Sequence, residues 1–103
     1  MNFELPYIPA RPEKPRNKGI TMMMDKGLSL REVENFVEAN GHLTDIVKFG
    51  FGTSYVSQNL EEKLKIYSEN GIRPYFGGTL FEAFYARGKF EDYLRLMDRY
   101  KLD

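Results

Sequence analysis

The 103-residue chain has no cysteine, no tryptophan, a single histidine and no excess of either charge, with fifteen Lys plus Arg against fifteen Asp plus Glu. Without cysteine, disulfides, thiolate nucleophiles and thiolate metal sites are excluded, and the composition suits a reducing cytoplasm. Without net charge there is no overall field to draw in nucleic acid or an anionic membrane, so any cationic chemistry must be local. No apolar run approaches the ~20 residues of a membrane-spanning helix, and the start, Met1-Asn-Phe-Glu-Leu-Pro6, lacks the basic residues and apolar core of a secretory signal. The expectation is a soluble cytoplasmic domain with one modest core.

What is present falls into an arm and three repeats. Pro6, Pro9, Pro12 and Pro15, with Arg11, Lys14, Arg16 and Lys18 among them, exclude helix, so residues 1–18 read as an extended arm laid over the domain, with a disordered segment as the alternative. From Gly19 the pattern changes. Ile20–Met24 is a short apolar run, read as a strand covered on both faces, and Ser29-Leu-Arg-Glu32 is a capping box opening a helix with Leu30, Val33, Phe36 and Val37 on one side. Strand Asp45–Phe49, a glycine turn and a helix from about Asn59 repeat the plan; strand Ile72–Phe76, the Gly77-Gly78 turn, a Thr79-Leu-Phe-Glu82 capping box and a helix from about Phe90 repeat it again. The junctions Asn40-Gly41 and Asn70-Gly71 share their sequence. A period near thirty residues suits right-handed crossovers in a parallel sheet. The fold class is therefore α/β, with three βα units over residues 19–103. Three parallel strands leave both outer strands unpaired, so self-association into a homo-oligomer is expected.

The chemistry gathers where strands end. Asp45-Ile-Val-Lys-Phe-Gly-Phe-Gly-Thr-Ser54 and Ile72-Arg-Pro-Tyr-Phe-Gly-Gly-Thr-Leu-Phe-Glu82 are each an apolar run followed by glycines, a hydroxyl residue and a helix start. Such turns bring backbone N–H groups and a helix N-terminus to an anion. Gly50, Gly52, Thr53, Ser54, Gly77, Gly78 and Thr79 are thus candidate substrate-binding residues. Lys48 lies inside an apolar strand, where a lysine needs an anion, a carboxylate such as Asp25 or Asp45, or a path to solvent. Asp25 and Lys26 end the first strand, and alternation sends them to opposite sides; Asp25 has either a turn-capping or a metal and proton role. Glu82 is either the closing residue of its capping box or a Mg²⁺ ligand. Arg73 and Tyr75 share a face and could reach an anion. His42 lies at the opposite end of the sheet and is rejected as a base, and the methionine run is read as core.

Gly19-Ile-Thr-Met-Met-Met-Asp-Lys-Gly-Leu28, Asp45–Ser54, Gly77-Gly-Thr-Leu-Phe-Glu82 and Gly88-Lys-Phe90 together resemble the phosphosulfolactate synthase family. The resemblance covers residues 19–103, with Phe51 standing where the family often has Trp and Phe76 where it often has Pro. It implies the first three units of a TIM-type (β/α)8 barrel whose Mg²⁺-dependent enzyme adds sulfite to phosphoenolpyruvate, in coenzyme M synthesis. Lys48, Lys26 and Asp25 are then the candidate catalytic residues, and Asp25 and Glu82 the candidate Mg²⁺ ligands. Three units alone are expected not to turn over substrate. The alternative is a non-catalytic member or barrel fragment acting through protein contacts.

Overall fold

The computed structural model describes residues 2–102. After the arm come β1 (Met22–Asp25), α1 (Leu30–Asn40), β2 (Ile46–Phe49), α2 (Thr53–Val56), α3 (Leu60–Glu69), β3 (Arg73–Phe76), α4 (Gly78–Ala86) and α5 (Phe90–Arg99). The strands form one parallel sheet in the order β1-β2-β3, as a partial βα repeat requires. Met23, Val47 and Pro74 stand in one row across it, and Asp25, Phe49 and Phe76 in another. These rows face the helices. Val33 of α1, Leu64 and Tyr67 of α3 and Leu80 of α4 close over Val47, Phe49, Ile72 and Phe76 to make the core, and the Phe49 ring meets Tyr67 and Phe76 edge-on, each at 5.9 Å.

The alternate rows, Met22–Ile46–Arg73 and Met24–Lys48–Tyr75, look the other way. Met22 is 50% exposed and Met24 36%, so the sheet is not covered on both faces as its apolar runs suggested. Only Met23 of the methionine run packs against the core. The strand sequences are apolar enough for a two-sided environment; these residues supply cover for one side.

Local signals set most element ends. Ser29 and Glu32 form the expected reciprocal capping box, with Glu32 N–H donating to Ser29 Oγ and Ser29 N–H to Glu32 Oε1. The second box does not form. Gly77 caps α4 in an extended conformation, Thr79 becomes the second residue of the helix, and Glu82 lies exposed in its second turn. The start moves upstream because Gly77 N–H is held by the Phe49 carbonyl at 3.0 Å and Gly78 enters the helix directly. The two Asn-Gly junctions also differ: Gly71 is left-handed at φ 69°, while Gly41 stays right-handed and opens a 3₁₀ turn.

The arm is fastened by its cations at the N-terminal end of the sheet. Lys14 Nζ donates to the carbonyls of Gly41 (2.6 Å) and Asn70 (3.0 Å), the caps that end α1 and α3, where a positive charge is favoured. Arg16 reaches Asp45 Oδ1 at 2.8 Å and the His42 carbonyl at 2.9 Å, while Asp45 Oδ2 accepts Thr21 N–H at 2.8 Å. Burial pushes the Asp45 carboxyl up, but the Thr21 N–H, Arg16 and Arg11 outweigh it and hold the group below the usual carboxylate range. A depressed folded pKa stabilises fully above the unfolded value of about 3.9 and is lost as pH falls through the folded one. Melting temperature is therefore expected to drop below about pH 4, and Asp45→Asn to flatten part of that slope. An unchanged slope in a melt series from pH 7 to pH 3 would show that Asp45 is not linked to folding.

Candidate functional site

β1 and β2 each deliver a residue from the open face to the C-terminal edge, and the turn after the neighbouring strand is built to let it pass. Met24 crosses Gly50, where a Cβ would lie 2.9 Å from its sulfur. Lys48, the equivalent residue one strand on, crosses Gly77, where a Cβ would lie 2.7 Å from Lys48 Cε and 3.0 Å from the Phe49 carbonyl oxygen. Both glycines are buried, and at both a side chain would collide with its neighbour. The repeat therefore separates two jobs. Met24 shows that an uncharged stem is enough to cover the glycine, so the ammonium of Lys48 is not there for packing.

The carbon that bears that ammonium lies against Gly77, the N-cap of α4, a helix whose first N–H groups receive no side-chain cap. A cation beside the positive end of a helix is unfavourable unless an anion lies between them. Among the described residues no carboxylate is paired with Lys48 or Lys26. Lys26 stands exposed at the same edge, its Cγ lying 3.9 Å from the position of a Cβ on Gly50 and its Nζ 5.5 Å from the centre of the Phe51 ring.

Between them runs the second glycine turn. Phe51 (φ 55°) and Gly52 (φ 73°) are both left-handed, a conformation strained for phenylalanine, and the chain re-enters helix at Thr53. Thr53 Oγ1 donates to the Asp25 carbonyl at 3.4 Å. Ser54 is 6% exposed, and its Oγ is buried without a protein partner, the condition in which a polar atom calls for explanation. Gly78 and Thr79 are exposed.

Asp25 is not with them. It is fully buried on the helix side of β1, where Oδ1 accepts the N–H groups of Gly27 (2.9 Å) and Leu28 (2.8 Å) and the Lys63 ammonium (3.3 Å), and Oδ2 accepts Tyr67 Oη (2.8 Å) and lies 3.0 Å from Lys63 Nζ. Burial raises the Asp25 carboxyl, yet the Leu28, Gly27, Tyr67 and Lys63 donors hold it below its ordinary value. The same burial, with Asp25 beside it, pushes the Tyr67 phenol up. A carboxylate with both oxygens engaged by four protein donors has no lone pair positioned for Mg²⁺ or substrate. Glu82 is exposed on α4, and no cluster of three or more potential ligands occurs among the described residues. Asp25 and Glu82 therefore do not fit a Mg²⁺ site in these residues, and the positive charge they offer an anion is that of Lys26, Lys48 and backbone N–H groups. Arg73 lies two residues back from the edge, in the row of Met22, while Tyr75 shares the row of Lys48 and donates to Met22 Sδ at 3.1 Å. His42 sits at the N-terminal end, its carbonyl bound by Arg16.

The sequence marks Tyr67 only as part of the apolar side of α3, together with Leu60 and Leu64, and does not single out Lys63. Its signal was available: Lys63 falls between Leu60 and Tyr67 on the apolar stripe of α3, a place where a charge demands a buried partner.

The chain is similar to known proteins along most of its length. Residues 9–103 match the family described as (2R)-phospho-3-sulfolactate synthase (ComA). A phosphosulfolactate synthase of Methanocaldococcus jannaschii is 44% identical over 79 residues, covering 75% of this chain and 32% of that protein. Phosphosulfolactate synthases of Bacillus subtilis (36% identical, 85% of this chain, 35% of the relative) and Methanothermobacter thermautotrophicus (37%, 84% and 34%) match similarly. The chain thus spans about a third of the length of these relatives, and it belongs to the phosphosulfolactate synthase family.

Proposed function

We propose that these residues supply the anion-holding edge of a cytoplasmic lyase that adds sulfite to phosphoenolpyruvate, as in coenzyme M synthesis, on the first three units of a TIM-type barrel. The observation that carries the reading is Lys48 crossing Gly77 to the uncapped start of α4, beside a repeat in which methionine performs the same packing. In the reaction the sulfite sulfur attacks C3, forming the C–S bond. The π electrons move through C2 onto the carboxylate, and a proton then adds to C2. Negative charge accumulates on a molecule that already carries phosphate and carboxylate, so fixed cations and N–H dipoles favour the transition state over the ground state. Lys48 and the α4 N-terminus are suited to one anionic group, Lys26 and the Gly50–Ser54 turn to another.

The test is a titration of the ¹⁵N-labelled chain with phosphoenolpyruvate and, separately, with sulfite. Amide shifts concentrated at Gly50, Gly52, Ser54, Gly77, Gly78 and Thr79 are expected. Shifts confined to the arm, or none at these turns, would overturn the reading.

A further inference from the structure

We propose that Asp25, Lys63 and Tyr67 form a positioning cluster: from behind the sheet they fix where Lys26 and the Gly50–Ser54 turn stand in front of it. The proposal rests on the reading of that edge as an anion site. Lys26 is flanked on both sides by groups the cluster holds, since Asp25 immediately precedes it and the Asp25 carboxylate binds the N–H groups of Gly27 and Leu28 that follow. Gly27 adopts φ 108°, which residues with a side chain rarely take; the glycine permits the turn, and the two bonds to the Asp25 carboxylate hold it. The Asp25 carbonyl also takes the Thr53 hydroxyl, tying the first turn to the second.

Stability alone does not account for such a cluster. Lys63 and Asp25 are wholly buried, and replacing a buried ion pair with apolar residues of like volume is often neutral or stabilising. Neighbouring positions on the same stripe of α3 are filled by Leu60 and Leu64, which pack against the core without charge. What leucine cannot do is hold a carboxylate at a fixed angle. Tyr67 Oη, Lys63 Nζ and two backbone N–H groups leave the Asp25 carboxylate a single orientation, and the turn bearing Lys26 follows it.

Two variants test this. Asp25→Asn/Lys63→Met removes both charges together and leaves no buried ion alone; Tyr67→Phe removes one hydroxyl and keeps the ring against Phe49, and it decides the matter if the double variant does not fold. Amide hydrogen exchange, measured without ligand, is expected to quicken about tenfold at Gly27, Leu28 and residues 51–54 beyond any change in global stability. Phosphoenolpyruvate affinity, measured by titration, is expected to fall about fivefold in the wild-type background and not further in a Lys26→Ala background. Unchanged exchange at the two turns, or equal affinity losses in both backgrounds, would overturn the proposal. If the unsubstituted chain does not bind phosphoenolpyruvate, it is the anion-site reading that fails, and the exchange measurement alone decides the positioning role.

Discussion

Replacing Lys63 with alanine is expected to destabilise the fold by about 3–5 kcal/mol, the cost of leaving a buried charge without its partner. The expectation follows from geometry. Lys63 Nζ is 3.0 Å from Asp25 Oδ2, both side chains are inaccessible to solvent, and the Phe49 ring lies 5.2 Å from the ammonium. Alanine would strand the Asp25 carboxylate and open a cavity beneath Phe49 and Tyr67 at once. For a domain of this size, whose total stability is of order 5–15 kcal/mol, the loss is a large fraction. A urea melt of the two proteins measures it, and a difference under about 1 kcal/mol would mean that the pair is open to water in solution.

The two lysines show what a sequence can and cannot disclose here. Lys48 is conspicuous because it interrupts an apolar strand of four residues, and a charge at period two among Ile46, Val47 and Phe49 has few bland explanations. Lys63 sits in Leu60-Glu-Glu-Lys-Leu-Lys65, where it resembles the solvated lysine two residues later, and only its spacing from Leu60 and Tyr67 marks it. Its partner lies 38 residues earlier in the chain. No local pattern encodes that meeting; the packing of α3 over β1 and β2 does. Asp25 carries two readings in the sequence, turn capping and metal or proton chemistry, for a related reason, and its bonds to Gly27 and Leu28 are those of the first. Alternation alone separates Asp25 from Lys26, as is found, but the choice of which one faces the ligand depends on where the helices pack.

The glycines divide in the same way. That the Gly50–Ser54 and Gly77–Thr79 stretches are turns at strand ends was legible from composition and repeat spacing. That Gly50 and Gly77 exist to let Met24 and Lys48 cross them is a property of the parallel register, in which a residue of one strand leans over the turn that follows the next. The failed capping box of α4 belongs here too. Thr79 and Glu82 have the right spacing, but the hydrogen bond from Gly77 to Phe49 starts the helix earlier and leaves Glu82 outside the first turn.

The opposite behaviour is expected of Lys48. Lys48→Met keeps a stem of similar length over Gly77, as Met24 does over Gly50, so the fold is expected to hold or to gain up to about 1 kcal/mol, because the change removes a positive charge from the positive end of α4. Binding should move the other way. Loss of one charge-assisted contact to a phosphate or carboxylate costs roughly 2–5 kcal/mol, so phosphoenolpyruvate affinity of the chain, and phosphoenolpyruvate-dependent sulfite consumption by a full-length family member with the same substitution, should each fall at least about tenfold. Lys48→Ala should match it in binding but not in stability, since alanine leaves Gly77 uncovered. A thermal melt read beside the titration separates the two quantities. If Lys48→Met destabilises the chain and leaves affinity unchanged, the lysine is a structural residue and the edge it occupies is not the anion site. If it strengthens the fold while weakening the ligand, the charge is held at the helix terminus for the substrate.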